Sequence, residues 1–269
     1  MSDPKISFIM QSYLGSYPGS RSNSDLKFLR AVKSFLDQKD NKHELIIASD
    51  GCEITYDLWK RELKGKPGLK FVYVDKDVPN MYESKSSGDS GKYLRGLPRQ
   101  IARSLVTGEV TTYMDSDDFL MPDATIILKV YWRQYLKDNA GKILAAYTDT
   151  WYDNIARTNS NFPVDIDPDR VKIGDAIKIS GLESEWIQLI FDKEKRKGVG
   201  GLPVTWLMSH TSDVKTKWKD VYQAHGSKDN SGEDNIFGVS MMHEAGIGHI
   251  FNIDHPYYVR CHYRGAWDF

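Results

Sequence analysis

Residues 109–123 read EVTTYMDSDDFLMPD, and this stretch decides what kind of chain this is. Its first part, Val110-Thr111-Thr112-Tyr113-Met114, is β-branched and aromatic, which predicts a buried strand. The strand runs into Asp115, Asp117 and Asp118, and Pro122 and Asp123 then suit the start of a helix. Charges of one sign this close together repel unless a cation or strong donors sit among them. On a continuing strand Asp115 and Asp117 project the same way and approach one ion together. Hard divalent ions take oxygen ligands and often keep one or two protein carboxylates, leaving positions for phosphates. Alone, the motif suits an acidic solvated loop as well, with Asp118 or Asp123 capping a helix.

Outward from this stretch the pattern is regular. Upstream, Ile6–Met10 is a short apolar run ending in Gln11-Ser12-Tyr13-Leu14-Gly15. A Gly/Ser/Pro-rich loop leads to a helix with Ser24 or Asp25 as its N-cap, in which Leu29, Val32, Phe35 and Leu36 recur at helical spacing up to Gln38. His43–Ala48 is a second strand, stopping at Ser49-Asp50-Gly51. A helix over Thr55–Leu63 leads to a third strand, Leu69–Val74. Strands alternating with helices argue for an α/β fold with a doubly wound, mostly parallel sheet. Such sheets bind ligands beyond the carboxyl ends of their strands, where Ser12, Tyr13, Asp50 and Asp115 would lie. No G-x-G-x-x-G and no P-loop motif follows the first strand, so NAD and P-loop chemistry are unsupported.

Asn80–Tyr93 is polar, Gly/Ser-rich and long enough to cover a site. A helix over Pro98–Val106 places Arg99 in its first turn and Ile101, Leu105 and Val106 on its buried side, with Gly108 ending it. Downstream come a helix over Ala124–Lys137 and a strand over Ile143–Tyr147. Later strands are expected at Pro203–Met208 and Gly248–Ile253, with a helix opening at Ser231-Gly232-Glu233-Asp234.

The 36 basic and 37 acidic residues of this 269-residue chain nearly cancel, so no global field recruits nucleic acid or an acidic membrane. Two cysteines, Cys52 and Cys261, are too few for a disulfide scaffold and read as free thiols. No segment approaches the roughly 20 apolar residues of a membrane span, and no signal peptide is legible. The expectation is a cytoplasmic protein.

At this point the chain resembles glycosyltransferase family 2, inverting nucleotide-sugar transferases of the GT-A fold. The first strand and its end, ISFIMQSY, are similar to the family's P-T-Y-type start, with Gln11 and Ser12 replacing proline and threonine. Leu45–Gly51 (LIIASDG) is similar to the strand ending in D-D-G, with Ser49 for the first aspartate. Pro98–Glu109 (PRQIARSLVTGE) resembles the family's A-R-N-x-G…A-x-G-E segment, with Gln100 at the asparagine position. Met114–Asp118 sits where the family carries its D-x-D metal motif, and Glu233-Asp234 where it carries the pair with the catalytic base.

The resemblance implies a Rossmann-like, mostly parallel central sheet flanked by helices, with a smaller acceptor-side region. It also implies one continuous domain in two halves, a nucleotide-sugar-binding half over 1–123 and an acceptor and catalytic-base half over 124–269. Ser12, Tyr13, Asp50, Arg99 and Asp115 take the nucleotide: Asp50 accepts from a pyrimidine edge, and Arg99 offers a planar donor fork. Asp117 and Asp115 hold a divalent metal, Mn²⁺ or Mg²⁺, with His262 as third ligand. Asp234, or Glu233 beside it, is the general base. Asp118, Trp206, Arg260 and Arg264 are weaker candidates for sugar or diphosphate contacts, and Trp186 and Trp267 for a stacking platform. The implied donor is a nucleotide-diphosphate sugar, a UDP-sugar first. The acceptor is a saccharide or another hydroxyl-bearing molecule, modified nucleic acid included. A nucleotidyltransferase and a non-catalytic nucleotide- or sugar-binding module are the competing readings.

Overall fold

The computed structural model describes residues 3–16, 23–75, 96–138, 145–148, 207–210, 218, 237, 241, 250–253 and 257–259. Four parallel strands form its centre: β1 (Ile6–Ser12), β2 (His43–Asp50), β3 (Leu69–Val74) and β4 (Val110–Asp115). Three more extend the sheet: β6 (Ala145–Thr148), β7 (Leu207–His210) and β8 (Ile250–Ile253). The order is β3-β2-β1-β4-β7-β6-β8, with β7 antiparallel to both β4 and β6, and β6 parallel to β8. The expected α/β, mostly parallel architecture is therefore present. A separate two-stranded ribbon pairs β5 (Phe119–Leu120) with β9 (Tyr258–Val259) antiparallel. No helix among the described residues is long and apolar enough to cross a membrane.

The first helix, α1, spans Ser24–Leu36. Its N-cap is Asn23 in the left-handed region (φ 57°), with no side-chain cap bond, rather than Ser24 or Asp25. Asparagine is among the few non-glycine residues that adopt this conformation readily. Ser24 instead donates to the Leu14 carbonyl. Helix α2 (Glu53–Leu58) starts two residues before its expected position and closes in a wider π turn, Trp59–Leu63. Helix α3 (Leu97–Arg103) stops short of Val106. Its buried residues are Pro98, Arg99 and Ala102, whereas Leu105 lies beyond its end and is exposed. Helix α4 covers Ala124–Asp138.

Strand alternation divides the central sheet into two faces. Ile6, Phe8, Met10, Leu45, Ile47, Val110 and Met114 share one apolar cluster with Phe28, Val32 and Phe35 of α1 and Leu128 and Trp132 of α4. Each such large side chain withdrawn from water contributes about 1.5–3 kcal/mol before conformational entropy is subtracted. Ser7, Glu44 and Gln11 alternate with that set and occupy the other face. At the amino end of this second face, Glu44 accepts from Lys5 Nζ (2.7 Å), Ser7 Oγ (2.7 Å), and both the backbone N–H (2.6 Å) and hydroxyl (2.8 Å) of Thr107. Gly108 is required beside it, because a Cβ there would meet the Lys5 carbonyl oxygen at 2.5 Å.

Candidate functional site

The carboxyl ends of β2, β1 and β4 stand side by side. Register sets Gln11 opposite both Ala48 and Asp115, and Asp50 lies two residues beyond Ala48. Paired positions and positions two apart project to one face, so Asp50, Gln11 and Asp115 form a polar row along adjacent strand ends. Gln11 Nε2 donates to Asp50 Oδ2 at 2.8 Å. A carboxylate can only accept, so this bond fixes the amide orientation and leaves Gln11 Oε1 as a buried acceptor without a partner. Asp50 is itself buried, and the chain turns away immediately after it at Gly51, whose φ of +64° suits glycine. No signal singled out Gln11 beforehand except its departure from the proline of the resembling family.

Ser12 lies one residue on and therefore on the opposite face. Its hydroxyl is buried 3.3 Å from Thr55 Oγ1 of α2, so it is not brought into the polar row. Tyr13 is half-buried and folds its ring over Gly15, where any Cβ would come within 2.6 Å of that ring.

Arg99 reaches the row from the first turn of α3. Its guanidinium lies 3.5 Å from Asp115 Oδ1 and 4.9 Å from the Trp218 ring centroid. Trp218 is placed by several contacts. Its ring stacks on Phe237 (4.2 Å, 3° between planes), its indole N–H points at Tyr113 Oη (3.3 Å), and its backbone N–H donates to Gln100 Oε1 (3.0 Å). Arginine on an indole face keeps its charge while its in-plane donors stay directed, an arrangement lysine cannot copy.

The acidic stretch departs from the strand geometry expected of it. β4 ends at Asp115, and residues 116 and 117 form a turn, so Asp115 and Asp117 are not successive same-face positions of one strand. Asp118, 2% exposed, closes the turn with its N–H on the Asp115 carbonyl (3.4 Å). The turn and the residues after it are gripped from α1, from Gln38 just beyond its end, and from β9. Arg30 donates to the Asp117 carbonyl (2.7 Å), the Leu120 N–H to Ser34 Oγ (2.9 Å), and Gln38 Nε2 to the Met121 carbonyl (2.8 Å). From β9, Tyr258 Oη accepts the Asp115 N–H (3.0 Å) and donates to Asp118 Oδ2 (2.6 Å). Burial, and then the carboxylates of Asp118 and Asp115, push the Tyr258 phenol well above its ordinary value, so it stays a donor.

Among the described residues no three His, Cys, Asp or Glu side chains gather as a closed cation cage. The donor set still fits a hard divalent ion. Asp115 and Asp117 are partly exposed carboxylates at a strand end, and such ions commonly take one or two of these with phosphate oxygens completing the shell. Glu233, Asp234, Trp206, Arg260, His262 and Arg264 lie outside the described residues, as do residues 80–93, Trp186, Trp267 and Cys261. Cys52 is a buried free thiol.

No protein-family model and no curated protein matches the chain. Solved structures do. S. aureus TarS 1–349 in complex with UDP-GlcNAc superposes with a TM-score of 0.52 at 15% identity, covering 95% of this chain and 58% of that one. The same protein in complex with UDP gives 0.51 at 15% identity, covering 95% and 60%. The chain thus spans about three fifths of the TarS structures it matches. At this identity what is shared is the architecture, an α/β fold built on a mostly parallel sheet flanked by helices.

Proposed function

We propose that the chain is an inverting glycosyltransferase that moves a sugar from a UDP-sugar to an acceptor hydroxyl, assisted by a divalent metal. The observation that carries this reading is the polar row Asp50–Gln11–Asp115 with Arg99 across three adjacent parallel strand ends, the place where sheets of this type take nucleotides. TarS, of the same fold, has been solved with UDP and with UDP-GlcNAc. Asp50, braced by Gln11, accepts from the base, and Tyr13 lies alongside. Arg99 spans from Asp115 toward the ribose and diphosphate. Asp115 and Asp117, with His262, hold the metal, which when bound supplies charge neutralisation at the diphosphate as the sugar–phosphate bond breaks. Asp234, with Glu233 as its alternate, takes the acceptor proton while the acceptor oxygen attacks the anomeric carbon from the face opposite the leaving diphosphate.

The test is a thermal-shift and turnover pair. The wild type is stabilised by UDP only when Mn²⁺ is present, and it releases UDP, not pyrophosphate, from UDP-GlcNAc or another UDP-sugar. Asp117→Ala loses the metal-dependent shift. Asp234→Asn keeps it and loses about a hundredfold in UDP release. Full turnover in either folded variant overturns the assignment.

A further inference from the structure

We propose that Tyr258 is the positioning residue of the acidic turn, one phenol that ties Asp115 to Asp118 and so sets where Asp115 and Asp117 meet the donor diphosphate. The inference rests on the reading of that turn as the diphosphate and metal site.

The direction of the link is forced. A backbone N–H can only donate, so the phenol oxygen must accept from Asp115, and its single proton must leave toward another acceptor. That acceptor is Asp118 Oδ2, 2.6 Å away, in the short range typical of a hydroxyl on a carboxylate. Both ends of the four-residue turn are thus bonded to the same buried atom, and these ends cannot separate without breaking one of the two bonds. Register supplies the precision: Leu120 pairs with Tyr258 across β5–β9, and the Met121 N–H donates to the Tyr257 carbonyl at 2.9 Å. Between the two bonded ends, Asp117 is held through its backbone carbonyl by Arg30. Tyr258 is not a catalytic residue, because it is fully buried and acts through the aspartates. Its action falls on the phosphate side of the site. The base side, at Asp50 and Gln11, is held by other bonds.

Tyr258→Phe removes the hydroxyl and keeps the ring in its packed place. Tyr257→Phe is the control, since Tyr257 is equally buried and next in sequence, but its hydroxyl makes no hydrogen bond among the described residues. Calorimetry would measure UDP binding with Mn²⁺ and uridine binding without metal. The expected result is about a tenfold loss of Mn²⁺-dependent UDP affinity in Tyr258→Phe, with uridine affinity unchanged and both unchanged in Tyr257→Phe. An equal loss for UDP and uridine means a merely structural role and overturns the inference, as does wild-type affinity for UDP in Tyr258→Phe. If Tyr258→Phe does not fold, Asp118→Asn weakens the same link from its other end, and the same UDP-against-uridine split decides. If the wild type itself shows no metal-dependent UDP binding, the proposed function falls and this inference with it. That outcome is distinct from failure of the variant alone.

Discussion

Arg99 and Asp115 face each other across the end of β4, with the guanidinium 3.5 Å from the carboxylate and the Trp218 ring 4.9 Å from its carbon. The pair joins the first turn of α3 to the strand end that leads into the acidic turn. The Arg99 side chain is 9% exposed and that of Asp115 34%, so the arginine is the desolvated partner and the carboxylate still meets water. Bringing them together costs desolvation mainly on one side, and the indole face offsets part of it.

Replacement of Arg99 separates charge from geometry. Arg99→Lys keeps the charge and loses the fork and the stack. It is expected to weaken UDP binding about tenfold and to lower folding stability by about 1 kcal/mol, a small value because Asp115 is partly solvated. Calorimetry for UDP and urea unfolding for stability measure the two effects. Unchanged UDP affinity in a folded Arg99→Lys protein would confine Arg99 to a structural role.

The Gln11–Asp50 bond predicts an ordered pair of effects on base recognition. Asp50→Asn removes the charged acceptor and is expected to lower uridine affinity about tenfold, the cost of losing one well-placed hydrogen bond to a charged group. Gln11→Leu leaves the carboxylate but removes its brace, with an expected loss of about threefold. Uridine titrations followed by calorimetry give both numbers. A larger loss in Gln11→Leu than in Asp50→Asn would reverse the assigned roles.

Glu44 predicts a pH dependence of stability. Burial alone raises its carboxyl, but bonds from Lys5, Ser7, the Thr107 N–H and Lys70 outweigh burial and hold it at about 2, against an ordinary 4.5. A carboxyl depressed in the folded state stabilises above its unfolded value and loses that contribution as pH falls from 4.5 toward 2. Lys5 and Lys70 are each 38% exposed, so solvent screening reduces the contribution to about 2 kcal/mol. The stability gap between wild type and Glu44→Gln, from urea unfolding, is expected near that value at pH 6 and to shrink by pH 3. A gap that stays constant over this range would exclude the ionised clamp.

Much of this molecule follows from local pattern. The apolar runs at Ile6–Met10, His43–Ala48, Leu69–Val74 and Val110–Met114 are strands because a parallel sheet covered on both faces needs little more than a continuous apolar run between turn residues. The same local logic placed Asp50 and Asp115 at strand ends and Arg99 in the first turn of a buried helix. It failed where a terminus depends on backbone conformation, as at Asn23, and where the acidic run curls into a turn after Asp115.

Only the tertiary structure decided which side chains meet. Ser12 and Gln11 are adjacent in sequence, and the pleat sends one hydroxyl to Thr55 and one amide to Asp50 on opposite faces. Tyr258, Arg30 and Trp218 reach Asp118, Asp117 and Arg99 from segments 140, 87 and 119 residues away, through strand register and helix packing that no window of sequence encodes. The motif DSDD carries the carboxylates. Their geometry comes from those distant partners, because a short turn of like charges has no stable shape until donors from elsewhere in the chain hold it.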